Sequence, residues 1–251
     1  MTAHLAHLVR HPIKSVGHED ITGALLDEGR AMPFDRLWAI SHEEARFDGA
    51  LAEWAAKRNF VRGAAAPGLM AVTARTMDDG RIELTHPDLW HLVVDPDRAE
   101  DQAKLIAWLA PLWPTNRPAP RRVERVPGVT LADVAEPYVS LLSLASLAAL
   151  SDATGTPMSR HRFRGNLWVE GWAPWAERGL VGRRLRIGAA ELEVAMPITR
   201  CRATCANPET GTEDLDTLAA LKALNGDTLF GLYAKVTRGG EIVRGDTVEI
   251  L

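Results

Sequence analysis

The chain has 251 residues, 46% of them hydrophobic and 25% charged, with a formal net charge of −4, which excludes a disordered or fibrous protein and suits one large domain with a smaller companion. An acidic balance denies the molecule the overall basic field that draws proteins to nucleic acid or anionic lipid, so any anion site has to be local. No run approaches the roughly 20 apolar residues of a membrane span, the first ten residues do not read as a signal peptide, and two cysteines, Cys201 and Cys205, are too few for a structural zinc site or an iron–sulfur cluster. A reducing, cytoplasmic setting is expected.

Short strands bounded by Gly, Pro or Asp are predicted over Leu5 to Val9, Ile21 to Leu26, Leu37 to Ser41, Leu69 to Arg75, Arg81 to Thr85 and Trp90 to Val94. Between them Ala50 to Arg58 reads as a short helix. Asp97 to Leu109 reads as a longer one, with Leu105, Ile106 and Leu109 at helical spacing before Pro111 and Pro114. Pro114, Pro118 and Pro120 mark the softest boundary, dividing the chain into 1–115 and 120–251, with the strand and turn from Leu5 to Ser15 free to pack on the second unit. Beyond it, Ser143 is expected to cap a helix from Leu144 to Leu150 and Asp214 one from Leu215 to Leu224. Strands are predicted again over Gly165 to Glu170, Arg184 to Ile187, Glu191 to Ala195, Leu229 to Thr237 and Thr247 to Leu251, joined by Gly-bearing turns. Many short strands, a few covering helices and no repeated βαβ pattern predict a mostly β, α+β fold with a barrel rather than a doubly wound sheet.

Chemistry concentrates in Pro197-Ile-Thr-Arg-Cys-Arg-Ala-Thr-Cys-Ala-Asn-Pro-Glu-Thr-Gly211. Arg200 and Arg202 flank Cys201, and nearby positive charge favours the thiolate, the form that attacks electrophiles and binds soft metals. Most free cysteines are small buried apolar groups, which is the expectation for Cys205. A second cluster, Arg160-His-Arg-Phe-Arg-Gly-Asn166, places three arginines on one face if the chain is extended. Such a face suits a phosphate or carboxylate, with Asn166 reading a heterocycle edge. A third comprises Pro12-Ile-Lys-Ser15 and Asp35-Arg-Leu-Trp38, whose Lys14, Ser15 and Arg36 suit anions without forming a Gly-rich phosphate loop. None of the eight histidines has a metal-binding spacing; His161 alone adjoins a proposed anion binder, and a structural role is expected for it.

In this order, Pro-Ile-Lys-Ser, Asp-Arg-x-Trp, Arg-Phe-Arg-x-Asn and Arg-Cys-x-x-Thr-x-x-Asn-Pro-x-Thr-Gly resemble the MOSC family over nearly the whole chain. Leu131-Ala-Asp133, Pro137, Ser143-Leu-Ala-Ser-Leu147, Phe230-Gly-x-Tyr233 and Gly245-Asp246 extend the likeness. The resemblance is to the branch with an N-terminal MOSC β-barrel-like domain, which includes the amidoxime-reducing components and the C-terminal part of molybdenum cofactor sulfurases. It implies a MOSC-type β-barrel behind a smaller β-rich N-terminal domain, and a bound molybdenum cofactor (Mo-molybdopterin), with no pyridoxal phosphate. Cys201 would be the metal's thiolate ligand, and Lys14, Ser15, Arg36, Arg164, Asn166, Thr199 and Arg200 would line the pterin and phosphate pocket.

The implied activity is reduction of N-hydroxylated small molecules such as amidoximes and hydroxylamines. With no cluster of its own, the chain would need an external electron donor, a ferredoxin-like or haem protein with its reductase. The rival reading is a sulfur-carrying or cofactor-handling module in which Cys201 bears a persulfide. Four positions depart from the family pattern: His11 stands where an aromatic residue is common, Gly165 where Pro is usual, and Cys205 with Asn207 where Thr and Asp are typical.

Overall fold

The computed structural model describes residues 2–47 and 49–251. In chain order its elements are β1 (His4–Arg10), β2 (Glu19–Ile21), β3 (Gly23–Leu26), β4 (Trp38–His42), β5 (Thr73–Thr76), β6 (Ile82–His86), β7 (Leu89–Val94) and α1 (Ala99–Leu109). After α1 come β8 (Pro120–Arg125), β9 (Val139–Ser143), α2 (Leu144–Thr154), β10 (Leu167–Glu170), β11 (Arg184–Ile187), β12 (Ala190–Thr199), α3 (Thr217–Asn225), β13 (Leu229–Arg238), β14 (Gly240–Val243) and β15 (Val248–Ile250).

Eight strands form the principal sheet, in the order β15-β11-β12-β13-β9-β10-β1-β2. His4 bridges to Thr247, and the Val248 amide donates to the Ala3 carbonyl at 2.8 Å, so the β15 end of the sheet curls round to meet β1. The result is a mostly β, barrel-type fold of the kind the motifs imply. Alternation supplies its core: Leu185 and Ile187 on β11 and Leu192 and Val194 on β12 are buried while their neighbours are less so, and they pack with Leu5, Leu8, Leu141, Leu232 and Val236. β9 and β10 run parallel with α2 between them, one βαβ crossover within a largely antiparallel barrel. Smaller sheets, β4-β8 and β5-β6-β7, enclose a second core with α1 around Ile13, Trp38, Leu69, Leu84 and Leu105.

Several expectations change. Residues 21–26 do not form one strand: the chain bends at Thr22, β2 joining the barrel and β3 pairing with β14. Residues 50–58 do not form a helix; only a 3₁₀ turn, Lys57–Asn59, appears there. So short a helix has little stability alone. The segment is held instead by its side-chain and backbone polar groups, Leu51 N donating to Glu124 and Trp54 Nε1 to the Ala132 carbonyl. Pro67 starts a 3₁₀ helix, Pro67–Ala71, in place of the first half of the expected strand over 69–75. The proline-rich stretch ends in a strand that the sequence pattern does not predict, β8, which pairs with β4. Nor does it predict β9 and β14.

Ser143 caps α2 as expected, accepting from Ser146 N. Asp216, and not Asp214, caps α3, accepting from Ala219 N at 2.9 Å. Asp214 is taken by the buried Arg162 guanidinium at 2.7 Å. The two carboxylates therefore differ in what their loss costs. Asp216→Ala should cost about 1 kcal/mol, the usual value of an N-cap. Asp214→Asn should cost about 2 kcal/mol or more, because it leaves Arg162 buried without its carboxylate. Urea denaturation of both variants checks the order.

Candidate functional site

One cleft gathers all eight residues that the motifs single out: Lys14, Ser15, Arg36, Arg164, Asn166, Thr199, Arg200 and Cys201. Separate elements deliver them. Lys14 and Ser15 follow β1, Arg36 precedes β4, Arg164 and Asn166 lead into β10, and β12 runs on through Thr199 to Cys201. Cys201 is exposed, in extended conformation, and its carbonyl accepts from Thr204 N and Oγ1, which closes the 3₁₀ turn Arg202–Cys205 behind it. Cys205 is buried, its sulfur 3.5 Å from Thr217 Oγ1, and plays the packing part expected of it.

The three arginines of 160–164 do not share a face. Residues 160–163 form a 3₁₀ turn and Arg164 is left-handed, which sends Arg160 to Asp20, Arg162 to Asp214 and the Cys205 carbonyl, and only Arg164 fully toward the other anion binders. Of the arginines flanking Cys201, Arg202 turns outward to a two-point contact with Glu213, while Arg200 folds inward to the Phe230 and Phe163 carbonyls, both at 2.7 Å. His161 is occupied by Asp20 and by stacking on His18 at 3.9 Å, a structural role.

Backbone strain marks the same place. Among the described residues five other than glycine have positive φ, and three of them, Ser15, Arg36 and Arg164, line the cleft. Such conformations cost about 1–3 kcal/mol each and persist where the surroundings over-determine them. Here Arg36 N donates to the His11 carbonyl at 2.6 Å and its Nη2 to the Arg164 carbonyl at 3.0 Å, while its Nη1 meets Asp35. Gly231, at φ 78°, lies where a Cβ would stand 2.6 Å from Leu142 Cγ and 3.2 Å from Arg200 Nη2, so only glycine lets that guanidinium lie against β13.

Charge is the decisive property. Lys14 is buried, held by the Leu131 carbonyl at 3.0 Å and Asp133 at 2.5 Å; burial lowers its pKa, and Asp133 opposes the shift. Arg164 and Arg200 have no carboxylate within ion-pair distance among the described residues. Burial, then the nearby Arg36, pushes the Arg164 pKa down to about 9, and burial pushes Arg200 down to about 10. Both keep their protons at neutral pH, so two half-buried cations stand uncompensated, and the Arg200 Nη2 atom is itself buried with no hydrogen-bond partner. A bound anion would relieve both.

Asn166 is placed in the cleft wall with its amide already engaged. Its Oδ1 accepts from Ser140 N and Oγ at 3.1 and 2.7 Å, and its Nδ2 donates to the Val9 carbonyl at 3.1 Å, which ties β1, β9 and β10 together. Lys57, Arg62 and Tyr138 also line the cleft and were not anticipated. Their segments carry no motif, although Tyr138 and Tyr233 are the chain's only two tyrosines and stack on each other at 5.6 Å.

The fold and cleft define a β-barrel protein with a strongly cationic cavity around an exposed thiol. The family model of the MOSC domain matches residues 129–249, and that of the MOSC N-terminal beta barrel domain matches residues 2–115; the chain belongs to the MOSC family. It is 37% identical over 78 residues to the molybdenum cofactor sulfurase of Caenorhabditis elegans, a stretch covering 30% of this chain and 11% of that protein. In structure it is similar to YuaD from Bacillus subtilis, at 14% identity and a TM-score of 0.50 over 100% of this chain and 96% of that one, which shows a shared fold along the whole length. YiiM from Geobacillus stearothermophilus aligns with 45% of this chain and 53% of its own, at 18% identity and a TM-score of 0.36. Among the described residues no helix is long and apolar enough to cross a membrane.

Two measurements follow. Asn166→Ala should destabilise the fold by on the order of 2 kcal/mol, since buried groups of Ser140 and Val9 lose their partners, and urea denaturation reads the loss. Pyrophosphate at about 100 times its Kd should stabilise the ligand-free chain by about 2.7 kcal/mol. Arg164→Met should abolish most of that gain in a thermal-shift titration.

Proposed function

We propose that this chain binds the molybdenum cofactor in the cationic cleft, with the Cys201 thiolate as ligand to the metal, and reduces N-hydroxylated compounds such as amidoximes and hydroxylamines. The observation that carries this reading is the meeting, in one cavity, of an exposed thiol with two half-buried guanidiniums that lack carboxylate partners among the described residues. The residues present fit the group. Arg200 Nη2 is an orphaned donor suited to an anionic oxygen. Among the described residues no cluster of three or more His, Cys, Asp or Glu is arranged to hold a metal ion, so a metal at Cys201 would take its other ligands from a bound organic group.

In this role Arg164 and Arg200 would neutralise the phosphate, with Lys14, Ser15 and the Asp35-paired Arg36 completing the pocket, and Cys201 would hold the metal where small molecules reach it. Asn166 would act indirectly, by keeping β1 and β10 in register beneath the bound group. When bound, the cofactor supplies two-electron redox chemistry that the side chains lack. Removing oxygen from an N-hydroxyl group consumes two electrons and two protons and releases water. Two cysteines cannot hold an iron–sulfur cluster, so those electrons would come from an external ferredoxin-like or haem protein with its reductase, in a cytoplasmic setting. The similarity to a molybdenum cofactor sulfurase supports a link to this cofactor.

The test is elemental analysis with pterin fluorescence after oxidation, on wild type and Cys201→Ala made in a host that synthesises the cofactor. Wild type should carry about one molybdenum and one pterin per chain, as one cleft requires. The variant should lose metal or lose amidoxime reduction by at least about 100-fold. Folded wild type free of both metal and pterin contradicts the reading, and a cyanide-releasable sulfur on Cys201 in that protein would favour the sulfur-carrier alternative.

A further inference from the structure

Seven cationic side chains line the cleft, and their partners divide them unequally. Lys14 and Lys57 share Asp133, Arg36 is matched by Asp35, and Arg162 by Asp214. Arg62, Arg164 and Arg200 remain without a carboxylate among the described residues. A phosphate monoester carries roughly −1.5 to −2 charges near neutral pH, enough for two of these three cations. Arg164 and Arg200 are the pair it suits, because both are anchored to backbone carbonyls of the cleft wall, Arg164 to Ile13 and Arg200 to Phe230 and Phe163, and both feel the repulsion of Arg36. Arg62 is left over.

Its position is fixed at the base and free at the tip. The Val61 amide donates to the Ile40 carbonyl at 2.8 Å, and the Arg62 carbonyl accepts from Ala65 N and Ala66 N at 2.9 and 3.1 Å. The next residue packs against the turn that begins at Cys201: a Cβ on Gly63 would lie 3.5 Å from Ala203 Cβ and 2.7 Å from Met70 Sδ. The guanidinium itself makes no hydrogen bond to the described residues. A cation on a rigid stem, bordering the segment that carries the exposed thiol, is equipped to receive a charge arriving from solution.

We propose that Arg62 binds an acidic group on the substrate, so that the preferred substrates are N-hydroxylated compounds carrying a carboxylate or a comparable anion. The proposal rests on the reductase reading of the cleft, and its experiment separates the two. Benzamidoxime and 4-carboxybenzamidoxime are compared as probes on the cofactor-loaded protein, with reduced methyl viologen as the electron source, in wild type, Arg62→Ala and Arg62→Lys. Dissociation constants for both probes are measured by calorimetry on the oxidised protein without reductant, where no turnover occurs.

Wild type should prefer the carboxylate probe by about tenfold, in KM and in dissociation constant, with the preference shrinking as salt is raised. Arg62→Ala should bring the ratio of the two KM values to about one without changing the ratio of the two kcat values, and Arg62→Lys should retain part of the preference. A ratio unmoved by Arg62→Ala, or no preference in wild type, overturns the assignment of Arg62 even if both probes are reduced. Absence of turnover with an Arg62-dependent preference in calorimetry overturns the reductase reading and leaves anion recognition by Arg62 standing.

Discussion

Asp35 is a carboxylate sealed from solvent, and most of the cleft is built outward from it. It accepts from the backbone amide of His11 at 2.7 Å and from the His11 ring at 3.0 Å, and it holds the Arg36 guanidinium. Burial by itself would raise its pKa, but Arg36 and the His11 hydrogen bond outweigh burial and keep the carboxyl well below the usual range. Burial and the charges of Arg164 and Arg36 lower the His11 pKa, so its ring is neutral and donates through Nδ1, leaving a buried Nε2 with no partner. Arg36 in turn holds the Arg164 carbonyl, so two of the cleft's cations inherit their placement from one carboxylate. An aromatic residue at position 11 would keep the backbone donor and lose the ring donor, and histidine therefore gives this chain a second hold on Asp35.

That scaffold sets the cost and the purpose of the strained backbone at Ser15, Arg36 and Arg164. Left-handed residues that are not glycine are disfavoured, and here they occur where three different segments turn toward one point. Their side chains carry the functional groups, which is why glycine does not replace them. The partial burial of guanidiniums without carboxylate partners adds a second cost of the same kind. Both are typical of a surface held ready for a ligand in advance of its arrival.

Much of this was legible beforehand because strand periodicity and short polar motifs are local signals. The strand leading to the arginine-flanked Cys201, and Lys14-Ser15 behind β1, are legible from adjacent residues; the place of Thr199 and Arg36 beside them is implied only by the family resemblance. What was not legible depends on partners distant in sequence. Asp214 looked like a helix cap and is a counter-ion, because Arg162 lies 52 residues away in sequence. The arginines of 160–164 looked like one extended face until the 3₁₀ turn dispersed them. Arg62, Lys57 and Tyr138 sit in segments without a motif, and only the meeting of the N-terminal part with the barrel brings Arg62 and Lys57 into the same cleft as Tyr138 and the thiol. β8 was hidden for a related reason, since prolines that end one element also open an edge strand.

Sheet closure orders events in the life of the chain. The strand β1 pairs with β10, its first residue bridges to Thr247, and Lys14 reaches across 117 residues to Leu131, so β1 waits for segments far later in the chain before these partners exist. Contacts this remote in sequence make folding slow and leave intermediates with open strand edges. The cationic cavity is equally late, since Ser15 and Arg36 stand on one side of that wait and Arg200 on the other. A newly made chain thus has no such cavity until its barrel has shut, and under the proposed reading occupancy by a phosphate-bearing group would report on completed folding.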